Sequence, residues 1–187
     1  MHWNVRAFES RDLSTGESRL GPESDDALED FVIEPDGRHI VAIGNAERIA
    51  SDYRTTLYRV SLQDFSIVEM YEVPGYVVPD FIVTDDGRAY LLSSAYMIDL
   101  DLVSGESTVL AERIVGGTLA GFSTCMRMTS DGLVHIVTHD ELLSIPRTGL
   151  GRFASPFDRS VQGVGFDAHG RLWTFDANQK VVGWELR

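Results

Sequence analysis

The sequence predicts an all-β fold built from four repeats of one four-stranded unit, and three observations predict it. The first is a strand–turn–strand pattern that occurs four times. It appears as Phe31-Val32-Ile33-Glu34-Pro35-Asp36-Gly37-Arg38 running into Ile40-Val41-Ala42-Ile43, then around Asp86-Gly87, Asp131-Gly132 and His169-Gly170. The second is the spacing of the turn glycines, 50 residues from Gly37 to Gly87, 45 to Gly132 and 38 to Gly170. Periods in this range with four strands per unit mark a propeller. The third is the pattern within each unit. Inner strands such as Ile40–Ile43 and Leu133–Val137 are continuous apolar runs, as strands sandwiched between neighbouring sheets must be, whereas Thr56–Leu62 alternates as a half-solvated outer strand does. No apolar stripe of helical period competes with these strands.

In chain order, residues 3–21 are read as two outer strands. Asp12-Leu13-Ser14-Thr15-Gly16-Glu17 matches Asp101-Leu102-Val103-Ser104-Gly105-Glu106, with a glycine where each turn needs a positive φ. A polar linker covers residues 21–26. The first repeat (27–75) has inner strands at 31–34 and 39–43, a long polar loop over 45–54, and outer strands at 56–62 and 66–73. The second (76–116) supplies strands at 80–84, 89–93, 95–101 and 107–113, and the third (117–160) at 125–129, 134–138, 141–145 and 152–155. The fourth (161–187) supplies 163–167, 171–176 and 180–186. The residues after Gly170 and those before Gly37 together make a fourth interval of 54. The expected fold is therefore one domain, 1–187, a propeller ring closed by N- and C-terminal strands, with residues 1–21 completing the fourth repeat. The strand count leaves one strand over, so an open chain completed by a second copy is the alternative.

Composition bounds the function. The chain has 187 residues, 43% of them hydrophobic, and a net charge of −13. A polyanionic surface disfavours nucleic acids and anionic membranes. No apolar run reaches the length of a membrane helix, and Met1-His2-Trp3-Asn4-Val5-Arg6 lacks the apolar core of a secretory signal, so a cytoplasmic location is expected. A single cysteine, Cys125, allows no internal disulfide. Residues 9–36 hold ten acids and two arginines, a net −8, while residues 141–187 carry five acids and six bases, a net +1. Either a solvated loop or a binding surface explains the acidic sector.

The turn units, Pro35-Asp36-Gly37-Arg38 and Phe166-Asp167-Ala168-His169-Gly170-Arg171-Leu172-Trp173, resemble repeats of bacterial β-propellers of the NHL, gluconolactonase-like and WD40-like superfamilies. The WD40 Gly-His and Trp-Asp signatures are absent. Gluconolactonase-like propellers hold a divalent ion with Glu, Asn and Asp at the channel, and this resemblance implies an ion at comparable positions here. Seven residues before each turn glycine stand Asp30, Asp80, Cys125 and Gly163, and eight after stand Asn45, Asp140 and Asn178, with Ala95 breaking that second ring. Asp30, Asp80 and Asp140 are the candidate metal ligands. Local capping of backbone amides by short Asp side chains is the preferred reading of these acids.

No other chemistry assembles. His135 and His139 lie on or beside a strand, where four residues span about 13 Å, too far to share an ion. No Gly-x-Ser-x-Gly, P-loop or Gly-x-Gly-x-x-Gly occurs. Trp3, Trp173 and Trp184 are expected in the core or between blades. The expected function is a non-enzymatic protein-binding or assembly module without a cofactor. Its expected partner is a basic protein or a second subunit, including a second copy, engaged through Glu23, Asp25, Asp26 and Glu29. The alternatives are a metal-dependent lactonase or esterase using the channel acids, and an acidic inhibitor or immunity-like partner of a basic protein.

Overall fold

A computed structural model describes residues 8–21, 28–49, 52–93, 96–112, 125–130, 132–137, 141–149, 153–156, 161–167, 169, 171–176, 178 and 180–184. The protein is all-β, and the described residues include no helix. A short hairpin comes first, β1 (Glu9–Arg11) and β2 (Ser18–Leu20), which pair only with each other. Three antiparallel four-stranded sheets follow in simple meander order. The first blade is β3 (Asp30–Ile33), β4 (His39–Ile49), β5 (Asp52–Ser61) and β6 (Ile67–Pro74). The second is β7 (Val77–Val83), β8 (Arg88–Ser93), β9 (Tyr96–Asp101) and β10 (Ser107–Glu112). The third is β11 (Cys125–Met128), β12 (Leu133–Val137), β13 (Glu141–Pro146) and β14 (Phe153–Pro156). A three-stranded sheet, β15 (Val161–Phe166), β16 (Leu172–Asp176) and β17 (Val181–Trp184), is the fourth blade.

The blades stack face to face, which is why the second strands read as unbroken apolar runs. Ile40, Val41, Ala42 and Ile43 are all buried, odd and even positions serving opposite faces. Val41, Ile43, Leu57, Tyr71 and Val73 of blade 1 meet Val77, Phe81, Leu91, Ile98 and Leu100 of blade 2 in one core. The other face of blade 2, with Tyr90, Leu92 and Met97, meets Met126, Val134, Ile136, Leu143 and Ile145 of blade 3. Ile40, Tyr58, Val60 and Phe65, on the opposite face of blade 1, pack with Phe8 and Leu28.

Two expectations are corrected. Residues 45–49 and 52–54, read as polar loop, are strand. β4 and β5 run on through a bulge after Ile43, pairing Glu47 with Arg54 and Arg48 with Tyr53 across the strands, and opposite charges in register support the extension. β1 and β2 do not pair with the fourth sheet: among the described residues the hairpin is a sheet of its own, seated against the outer part of blade 1, and residues 1–7 lie outside the described residues. Its anchors are Arg19, which donates to the Gln63 carbonyl and lies 4.9 Å from the Phe65 ring, and Phe8, edge-on to Phe31 at 6.1 Å.

The hairpin is nonetheless built like the outer half of a blade. In its turn Asp12 Oδ1 accepts from the Ser14 and Thr15 amides, and Gly16 follows at φ 74°. Between β9 and β10, the third and fourth strands of blade 2, Asp101 Oδ1 accepts from Val103 and Ser104, and Gly105 has φ 76°. Blade 1 makes the same turn with Phe65 at φ 59°.

Candidate functional site

Each blade uses polar residues to tie its own strands together. In blade 1 both oxygens of buried Glu34 accept from Arg59, at 2.6 Å from Nε and 2.8 Å from Nη2. In blade 2 Arg88 Nε donates to Asp99 at 2.7 Å. In blade 3 the buried His135 ring lies 2.8 Å from Ser144 Oγ and 3.2 Å from Thr129 Oγ1, so His135 is an internal residue. In blade 4 Trp184 Nε1 donates to Thr174 Oγ1, and Trp173 Nε1 donates to Asp167 Oδ2. Trp173 corrects its expectation: it is 38% exposed on the outward face of the last sheet.

Asp30 stands at the start of β3, half-buried. The side chains of Asp80, Asn45 and Cys125 are not among those described, and Asp140, His139, Trp3 and Ala95 lie outside the described residues. Among the described residues the group of metal-capable side chains is a different one, Glu34, Asp36 and His39, with ligand atoms within 4.8 Å of one another. The Arg59 guanidinium already engages both Glu34 oxygens, and a cation there would compete with it directly. Asp36 is held below the usual carboxylate pKa, mainly by the Arg38 amide. This turn is a set of structural ion pairs.

A cleft of about 710 Å³ opens between blades 2, 3 and 4 at the end that carries the first turn of each blade. Its walls include Asp86, Met126, Arg127, Ser130, Arg147 and Phe166. Arg147, in the turn after β13, donates to Asp86 and, at 2.6 Å, to the Tyr90 hydroxyl, bridging blade 3 to blade 2. The same bond holds Asp86 below its ordinary pKa. Arg127 donates to the Asp167 carbonyl at 2.8 Å, bridging blade 3 to blade 4. Both arginines are thus committed to joining blades. No sequence signal announces them, because their partners are 57 and 40 residues away.

The acidic sector is the larger feature. Glu9, Asp12, Glu17, Glu29 and Asp36 are all exposed, and exposed Glu47, Asp52, Glu69 and Glu72 on blade 1 extend it. Glu29 accepts from the Tyr76 hydroxyl at 3.1 Å. Burial, and then Glu29, raise the pKa of Tyr76. Glu23, Asp25 and Asp26, the other three predicted contact residues, lie outside the described residues.

No protein-family model matches the chain, and no curated protein is similar to it. Solved structures share its fold. The WD40 domain of Neurospora crassa Pan2 superposes with a TM-score of 0.68 at 12% identity, over 97% of this chain and 57% of that one. The acylaminoacyl peptidase of Pyrococcus horikoshii superposes with a TM-score of 0.60 at 14% identity, over 90% of this chain and 31% of that one. This chain therefore spans less than two thirds of either. The similarity is one of fold, and that fold is propeller-like.

Proposed function

We propose that the chain is a non-enzymatic protein-binding module that engages a basic protein through the acidic sector around its hairpin and first blade. The observation that carries this reading is the exposure of Glu9, Asp12, Glu17, Glu29 and Asp36 on one end of a chain whose C-terminal quarter is nearly neutral. A one-sided field of this kind speeds encounter with cationic surfaces and repels polyanions. The blades beneath it are a firm support: among the described residues no buried side-chain polar atom lacks a hydrogen-bond partner.

The test is capture of the partner from the source cell at low and high salt, repeated with Glu9, Glu17, Glu23, Asp25, Asp26 and Glu29 changed to Gln or Asn. Asp12 and Asp36 are left in place because they hold turns. Exposed charges are screened over about 8 Å at physiological salt. The expected result is a basic partner that is lost at high salt and lost by the variant. Retention under both conditions contradicts the reading.

A further inference from the structure

The two ends of the blade stack are complementary and both are open. At the N-terminal end, the hairpin has the turn chemistry of third and fourth strands, and Phe8 and Leu28 pack at Ile40, Tyr58, Val60 and Phe65 of blade 1. The innermost strand is left half bare, with Phe31 54% and Ile33 55% exposed. The register places both on one face with Ile40 and Ala42. That is where the first and second strands of a preceding blade belong. At the C-terminal end, the last sheet has those inner strands and a third one, and its outward face is apolar: Trp173 is 38%, Phe175 39% and Val181 60% exposed. Phe175 pairs with Val181 across the strands, and Gly183 lies opposite Trp173, where a Cβ would come within 3.0 Å of the indole. The face is shaped for flat packing against another sheet.

The described residues do not bring these ends together. Among the described residues, the three apolar clusters join the hairpin to blade 1, blade 1 to blade 2 and blade 2 to blade 3, and none joins blade 4 to blade 1. Nearly all of this chain overlays 57% of the WD40 domain's chain, so a ring of that size has room for further blades beside those of this chain.

We propose that two copies of the chain assemble head to tail into one two-fold ring of about eight blades, within the usual range for propellers. The outer face of each last sheet, Trp173, Phe175 and Val181, covers Phe31 and Ile33 of the other copy beside that copy's hairpin. Charge favours this pairing over end-to-end contact of like ends. The hairpin and first blade carry the acids, whereas the C-terminal quarter has a net charge of +1 and sets Arg171 and Lys180 near the apolar face. The acidic end of one copy can approach that face without like-charge repulsion. Both contacts are identical by symmetry, so the assembly closes at two and does not extend into a fibre.

Sedimentation equilibrium at micromolar concentration tests this. The expected mass is twice the 20.8 kDa of one chain. Phe175→Glu and Phe31→Glu, on opposite faces, are each expected to shift the protein to the single-chain mass while keeping an all-β far-UV spectrum. Val181→Glu, at the most exposed of the three C-terminal positions, is a second variant with little effect on folding and the same expected shift. Mixing Phe31→Glu with Phe175→Glu leaves one of the two contacts intact and is expected to recover a two-chain species, weaker than wild type. A wild-type protein of single-chain mass overturns the proposal. So does a two-chain species that all three substitutions leave unchanged, or a polymer of indefinite length.

Discussion

Asp86 and Arg147 show how single residues hold one blade to the next. Arg147 reaches from blade 3 to a carboxylate and a phenol of blade 2, and its stem lies beside Gly132. Asp86 is half exposed, so the pair contributes on the order of 0.2–1 kcal/mol. The folded carboxyl is held below 3.8, first by Arg147 and then by Thr84. A depressed carboxyl stabilises the fold above its unfolded pKa, and that contribution disappears as pH falls through the lower folded value. Asp86→Asn is therefore expected to lower the urea midpoint by a constant amount from pH 7 to about pH 5, with the gap to wild type closing below about pH 4. A gap unchanged down to pH 2 would show that the charge contributes nothing. Phe65 illustrates a different balance. A left-handed backbone costs a non-glycine residue roughly 1–2 kcal/mol. Its ring, 4% exposed between Arg19 and the blade 1 core, returns more than that, about 3 kcal/mol for a buried aromatic. This is why the third turn of the series lacks the glycine found at Gly16 and Gly105.

At the scale of elements, the strands that pack on both faces were legible because burial leaves an unambiguous record. Ile40–Ile43, Leu91-Leu92 and Val134–Val137 carry no exposed position to vary. The segment 45–54 was not legible, since strands that project beyond the blade interface are solvated and read as polar loop, and only the cross-strand register of Glu47 with Arg54 identifies them. Trp173 was misread for the converse reason, as a large apolar residue that stands 38% exposed on the outward face of the last sheet. The arginine bridges were invisible because their partners are remote in sequence. Of the candidate site, the acidic sector could be read from composition, whereas the Glu34–Arg59 pair could not. The hairpin is the element whose role changed most. Beside it Phe8 packs on Ile40, Tyr58, Val60 and Phe65, and among the described residues its two strands pair only with each other. Deleting residues 8–21 is expected to bare that cluster and cost about 3 kcal/mol of stability, at roughly 25 cal/mol per Å² of apolar surface. Binding of a hydrophobic dye should rise with it. Equal stability and no dye binding after the deletion would show that the hairpin is not part of the core.

At the scale of the whole molecule, the repeats specify the blades more firmly than they specify the ring. Among the described residues no buried side-chain polar atom lacks a partner, and the interfaces of blades 1 and 2 and of blades 2 and 3 each have an apolar core, so the stack is a series of near-neighbour contacts with two ends. Exposed ends of such a stack are a liability unless something covers them. Here the bare face at Phe31 and Ile33 and the bare face at Trp173 and Phe175 have matching character and opposite charge setting. Small-angle X-ray scattering on the purified protein across a dilution series addresses this most directly, because it reports mass and shape together. The account predicts a forward-scattering mass of twice 20.8 kDa and a distance distribution of a single compact ring with a central channel, giving way on dilution to a half-ring of one chain. A single-chain mass at every concentration, with the distance distribution of a small closed ring, would contradict it.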